Sequence, residues 1–328
     1  MRRREFIGLV GGAAAWPLAA RAQQRERMRR IGVLMLFDEN DPEARALLSG
    51  FRQGLAELGW TDGRNLRMDV RGTSGNVDRM GMSAKELLEL TPDVVLAHGI
   101  AAAAFQRETR TIPIVFAAMG DPVASGIVAS LSRPGGNTTG FALWEASLGG
   151  KWLELLSEIA PGLKRAAIMF NPDTVPVPSL MPSSFETGAR SLKVEPIIVH
   201  VHSEVEIETA IIALGREPGG GLVVIPDPLT LAHRKLVISA AARNNIPAVY
   251  PASFFAREGG LLSYGADPVD IWHRAASYVD RILRGAKPSE LPVQFPTKFE
   301  MVLNLKTAKA LGLAVPPSIW LRADEVIE

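Results

Sequence analysis

Short, wholly apolar runs alternate along this chain with amphipathic helical stretches, and that alternation limits the fold more than any other feature. Residues 31–37 read as a strand buried on both faces, and 43–58 as a helix with apolar residues three and four apart. Further strands are expected at 66–70, 94–97, 114–116 and 138–143, with helices at 77–90 and 101–109 between them. The series restarts near Gly149-Gly150: helix 150–159, strand 166–170, helix 182–191, then strands at 196–201, 222–225, 248–250 and 261–264. Helices are expected at 205–214, 229–244 and 268–283, and the tail carries a strand at 299–304 and a short helix at 305–311. Strands that are apolar throughout belong to parallel sheets covered on both faces. There are too many of them for one comfortable sheet. The expectation is an α/β fold of two doubly wound parallel-sheet lobes joined by a hinge.

The 328 residues suffice for two such lobes. Formal net charge is +1, with part of the positive charge at the extreme N-terminus. The body therefore lacks the basic footprint of a nucleic-acid or anionic-lipid binder. Cysteine is absent, which excludes disulfides, thiol nucleophiles, thiolate metal sites and a lipid anchor attached through cysteine. Arg2, Arg3 and Arg4 precede a mildly apolar run over 6–20 that ends in Ala20-Arg21-Ala22, a small-x-small cleavage pattern. The run is shorter than the ~20 residues a bilayer needs. Residues 1–22 are therefore expected to be an export signal of twin-arginine type, with a soluble periplasmic protein beginning near Gln23.

One dipeptide recurs at corresponding places. Asp41-Pro42, Asp121-Pro122, Asn171-Pro172, Asp227-Pro228 and Asp267-Pro268 each follow a strand and open the next segment. Asp or Asn accepts bonds from free helix N-terminal amides, and proline suits the first helical position, so each can be a cap and nothing more. Their shared location adds a second reading, because ligands of open parallel sheets sit beyond the carboxyl ends of the strands. Helix N-termini attract a carboxylate and aspartates an ammonium group, a combination complementary to a zwitterion such as an amino acid. The candidate ligand-binding residues are Asp38, His98, Gly99, Asp121, Trp144, Asn171, Asp227 and Tyr250. Asp121 and Asp227 are expected to supply polar contacts, and Trp144 and Tyr250 packing. Trp60, Trp152, Trp272 and Tyr278 have core-like spacing.

Signatures of catalysis are sparse. No G-x-G-x-x-G joins a strand to a helix, Gly150-Lys151 is followed by Trp152 rather than Ser or Thr, and no G-x-S-x-G occurs. His200 and His202 alternate on one expected strand, a weak metal signal. No enzyme activity, cofactor or metal is expected.

Several segments are distinctive: Phe37-Asp38-Glu39-Asn40-Asp41-Pro42, Gly54-Leu55-Ala56-Glu57-Leu58-Gly59-Trp60, Asp121-Pro122-Val123-Ala124-Ser125-Gly126 and Ser132-Arg133-Pro134-Gly135-Gly136-Asn137-Thr138-Thr139-Gly140. The tail motifs Pro296-Thr297-Lys298-Phe299-Glu300 and Asn304-Leu305-Lys306-Thr307-Ala308-Lys309 are the most specific. Together they resemble the ABC transporter substrate-binding protein family, whose members include tryptophan- and tyrosine-uptake proteins. The resemblance implies a type I periplasmic-binding-protein fold with crossings near 141–146, 265–267 and 288–296. On that basis the lobes are 28–143 plus 267–288 and 144–266 plus 289–328. It also implies a monomer that holds a small ligand between its lobes and docks transiently on a membrane permease and its ATPase. A sensor feeding a membrane receptor is the alternative. The loop 175–182 is proline-rich and departs from the family in lacking tyrosines, which leaves the ligand open.

Overall fold

The computed structural model describes residues 27–144, 147–175 and 180–328, so the expected signal at 1–22 lies outside the described residues. The first lobe is built from β1 (Arg29–Met35), α1 (Pro42–Glu57), β2 (Leu66–Gly72), α2 (Val77–Glu89), β3 (Val94–His98), α3 (Ala101–Glu108), β4 (Ile114–Met119) and β5 (Thr138–Ala142). Its five strands pair in the order β2-β1-β3-β4-β5, all parallel. Every residue of β3, β4 and β5 is buried, as a sheet covered on both faces requires.

The second lobe contains α4 (Leu148–Ile159), β6 (Arg165–Phe170), α5 (Leu180–Leu192), β7 (Glu195–His200), α6 (Glu204–Gly215), β8 (Gly220–Val224), α7 (Pro228–Ala232), α8 (Arg234–Arg243), β9 (Ala248–Tyr250), α9 (Ser253–Arg257) and β10 (Leu262–Ala266). The chain then returns to the first lobe as α10 (Pro268–Leu283) before ending in β11 (Phe299–Asn304), α11 (Leu305–Ala310), α12 (Pro317–Arg322) and β12 (Glu325–Ile327). The second sheet runs β12-β11-β10-β9-β8-β6-β7.

Helix α10 is held against the first lobe by a close crossing with α1. A Cβ on Gly54 would lie 2.5 Å from the His273 carbonyl oxygen, so only glycine lets the two backbones approach this far. Asp267 caps α10 by accepting from the amides of Val269 and Asp270.

Two expectations are corrected. The second sheet is not wholly parallel: β11 runs antiparallel to β10. The chain leaves β10 at the hinge end of the lobe, threads α10 through the other lobe, and re-enters at that same end, so β11 must run back along its neighbour. The helix expected over 229–244 is two helices, broken at His233, whose Nδ1 lies 2.9 Å from Glu204 Oε1. The tail pairs with the first lobe before it joins the second sheet. Val293 N–H donates to the Leu131 carbonyl and Gln294 N–H to Gly140, whereas the Lys298 carbonyl accepts from Asp267 beside the second sheet. The elements α9, α12 and β12 had no counterpart in the sequence reading, because pieces of three to six residues show no usable periodicity.

Candidate functional site

The carboxyl ends of the parallel strands of both sheets face one cleft. Two adjoining chambers lie there, of about 50 Å³ and about 40 Å³, sharing His98, Ala118, Leu143, Pro226 and Leu231 in their walls. Either exceeds the space one water needs. The larger also opens, past Ile100, Met119, Ser125 and Thr174, into a surface groove.

From the first lobe, the turn after β3 contributes His98, Gly99 and Ile100. Gly99 has φ +53°, donates to the Ala117 carbonyl at 2.8 Å, and leads straight into α3. The N-cap of α3 is Ile100, which has no side chain to close the helix end. Among the described residues nothing accepts from the amides of Ile100 and Ala101. An uncapped helix N-terminus facing a chamber is a place for a carboxylate.

The loop after β4 brings Asp121 to the same chamber. Its Oδ1 accepts from Val123 and Ala124 at 3.1 and 2.9 Å, while no described group engages Oδ2. Half of this carboxylate is a cap and half is available to a cation. Ser125 Oγ donates to the Asp121 carbonyl and fixes the turn. Trp144 follows β5 and lies against Gly120, where a Cβ would meet its ring at 2.6 Å.

The second lobe supplies the opposite wall through Thr174, Val175, Pro226, Asp227 and Leu231. Asp227 is 3% exposed. Its Oδ1 accepts from Leu229 and Thr230 at 2.8 and 3.0 Å, and its Oδ2 from Asn171 at 3.0 Å. Burial pushes this carboxyl up to about 6, against the lowering effect of those bonds. Asp227 therefore spans the ends of β6 and β8, with both oxygens already occupied by backbone amides.

Five of the eight candidates line the larger chamber: His98, Gly99, Asp121, Trp144 and Asp227. The other three line neither chamber. Asp38 is exposed and accepts from Asn40 N–H in its own turn. Asn171 sits behind the wall: its N–H goes to Asp227 and its Oδ1 accepts from Asp173. Tyr250 is 1% exposed and stacks on Phe255 at 5.1 Å, in the core of the second lobe. Asp121-Pro122 and Asn171-Pro172 open turns rather than helices. The proline-rich loop reaches the chamber through Val175, and 176–179 lie outside the described residues.

Arg234 was missed altogether. It crosses the cleft to Asp41 and also binds Glu258 of its own lobe. An arginine within an amphipathic helix gives no sign in sequence that it faces another lobe. His202 pairs with Glu206 rather than with His200, and the described residues hold no cluster of three or more metal-ligating side chains.

The description "ABC transporter substrate binding protein" matches residues 31–327. The chain belongs to this family. A protein of Clostridioides difficile (strain R20291) named tyrosine-binding protein is 25% identical over 304 residues, 92% of this chain and 86% of that one. A Streptococcus pneumoniae ABC domain in complex with L-Trp superposes with TM-score 0.81 at 25% identity, covering 91% of this chain and 99% of the other. A ligand-free, open substrate-binding protein with adhesive properties from Clostridium difficile covers the same shares at the same identity, but its TM-score is 0.67. Two α/β lobes with crossings between them are the architecture of type I periplasmic binding proteins. Among the described residues, no helix is long and apolar enough to cross a membrane.

Proposed function

We propose that this family member is the periplasmic solute-binding component of an ABC import system, and that it holds an amino acid between its lobes. The observation that carries the ligand class is the pairing, in one chamber, of the open α3 N-terminus with the free oxygen of Asp121. The first suits a carboxylate and the second an ammonium group. Trp144, Leu143 and Ile100 surround them with apolar surface, the usual lining of a small-molecule site.

The lobes described here are closed on one another. Arg234 bridges them, and the better superposition on the L-Trp complex than on the open, ligand-free relative agrees with closure. A ligand touching both walls is fully bound only in this form, so binding shifts the population from open to closed. The closed form then docks on a membrane permease and its ATPase. The leader at 1–22 carries the chain to the periplasm.

Thermal unfolding against a panel of amino acids and simple carboxylates tests the reading. A ligand at 100 times its Kd adds about 2.7 kcal/mol, visible as a rise of several degrees. A hit among aromatic or branched amino acids supports it. Stabilisation by simple acids alone, or by nothing, removes the amino-acid assignment.

A further inference from the structure

We infer that His98 is the specificity residue of the cleft, reading a hydrogen-bonding atom on the ligand's side chain. The cleft would then prefer amino acids that carry a hydroxyl to their hydrocarbon isosteres. The inference rests on the amino-acid reading above, which places the ligand's charged ends at α3 and Asp121.

His98 stands where the two chambers meet and lines both. It is 5% exposed, and its Nδ1 is sealed from solvent with no hydrogen-bond partner. No other described group bonds the ring. Buried polar groups are almost always paired, so a partnerless imidazole on a cavity wall is the mark of a group awaiting its partner. The rings of Phe37 and Trp272 flank it at 5.4 Å each and fix its plane. Burial alone holds it far below the ordinary histidine range, so it stays uncharged and offers one donor and one acceptor. A hydroxyl, itself donor and acceptor, can answer whichever nitrogen the ring turns toward the chamber.

The smaller chamber beyond His98 is walled mainly by apolar groups, among them Leu47, Leu231, Pro251 and Phe254. Among the described residues, Glu43 is the one acidic side chain lining it, in the field of Arg234 and Arg257. A side chain entering this chamber meets hydrocarbon surface with His98 at the threshold. Hydrocarbon ligands would leave the imidazole unsatisfied, which is how a buried polar group rejects an isostere.

The test is calorimetric titration of the full protein with L-tyrosine against L-phenylalanine and L-threonine against L-valine. In at least one pair the hydroxyl-bearing member should bind about tenfold more tightly. His98→Leu should abolish the gap and His98→Gln, which keeps a donor and an acceptor, should restore part of it, with circular dichroism unchanged. Imidazole ¹⁵N NMR of the wild type gives a readout independent of the variants: the hydroxyl ligand shifts the His98 ring nitrogens and its isostere does not. A gap absent from the wild type, a gap surviving in His98→Leu, or unmoved ring nitrogens overturns the inference and leaves the amino-acid reading standing. Failure of every amino acid to bind removes both readings together.

Discussion

Arg234 of the second lobe closes on Asp41 of the first, with its Nη1 and Nη2 at 3.0 and 3.3 Å from the two carboxylate oxygens. The guanidinium lies 5.7 Å from the ring centres of both Phe37 and Phe254, one from each lobe. Its Nε stays on Glu258, at 2.8 and 3.0 Å from the two oxygens. When the lobes part, only the Asp41 half breaks, and the arginine is never left without a carboxylate. That makes it a reversible latch, since a stranded buried charge would oppose opening.

Asp41→Asn removes the charge and keeps the cap on α1, because asparagine caps as well as aspartate. We expect the ligand-free protein to open, raising its radius of gyration in solution scattering. Ligand affinity should fall about fivefold, or about 1 kcal/mol. Unchanged scattering and affinity would show that Asp41 and Arg234 do not govern closure.

The absence of a side chain at Gly75 lets the lobes approach this closely. Gly75 has φ +73°, and a Cβ there would lie 2.6 Å from the Pro228 carbonyl oxygen and 3.1 Å from Ala232 Cβ across the cleft. Gly75→Ala should hold the cleft ajar and weaken binding, with a further stability loss of about 1 kcal/mol from the left-handed backbone. Scattering with and without ligand checks it: an undiminished ligand-induced contraction would refute the contact.

Two buried groups give the protein opposing acid responses. Burial pushes His98 down to about 3 from 6.5, so below 6.5 the unfolded chain takes a proton that the folded chain refuses. Stability is lost as pH falls through that window, by about 2 kcal/mol at about pH 5. Asp227 works the other way: burial raises it from 3.8 to about 6, so the folded chain binds the extra proton. It adds about 1 kcal/mol at the same pH. Urea melts at neutral and mildly acid pH should therefore show a modest net loss. Asp227→Asn should deepen that loss and His98→Gln should reverse it; variants that keep the wild-type slope would contradict these shifts.

Trp144 should report ligand binding. Trp152 and Trp272 are buried at 1% and 0% exposure, whereas Trp144 lines the larger chamber. Ligand should change the intrinsic fluorescence, and Trp144→Phe should remove most of the change. A signal that survives the substitution would place the reporting tryptophan elsewhere.

Much of this architecture was legible in the residues because it depends on local rules. Apolar strands followed by amphipathic helices yielded both sheets, and Asp-Pro placed the caps, of which Asp41, Asp227 and Asp267 close helices as expected. His98, Gly99, Asp121, Trp144 and Asp227 reached the chamber for the same reason: each follows a strand at its carboxyl end. Tyr250 obeyed that rule and still went into the core, because position at a strand end does not say which face a side chain takes.

What the sequence determined by itself is the set of elements and the end of each sheet that carries the site, since both follow from hydrogen bonding and hydrophobic period along the chain. Only the tertiary structure decided that β11 runs antiparallel, that Arg234 meets Asp41, that both oxygens of Asp227 are already taken, and that His98 is left without a partner. Except for the local cap on Asp227 Oδ1, these are relations between groups far apart in the chain, such as Asn171 with Asp227 Oδ2 and Arg234 with Asp41, or the lack of one. Such relations are set by how elements pack within a lobe and, for Arg234 and Asp41, by how the two lobes meet; nothing local in the chain encodes them.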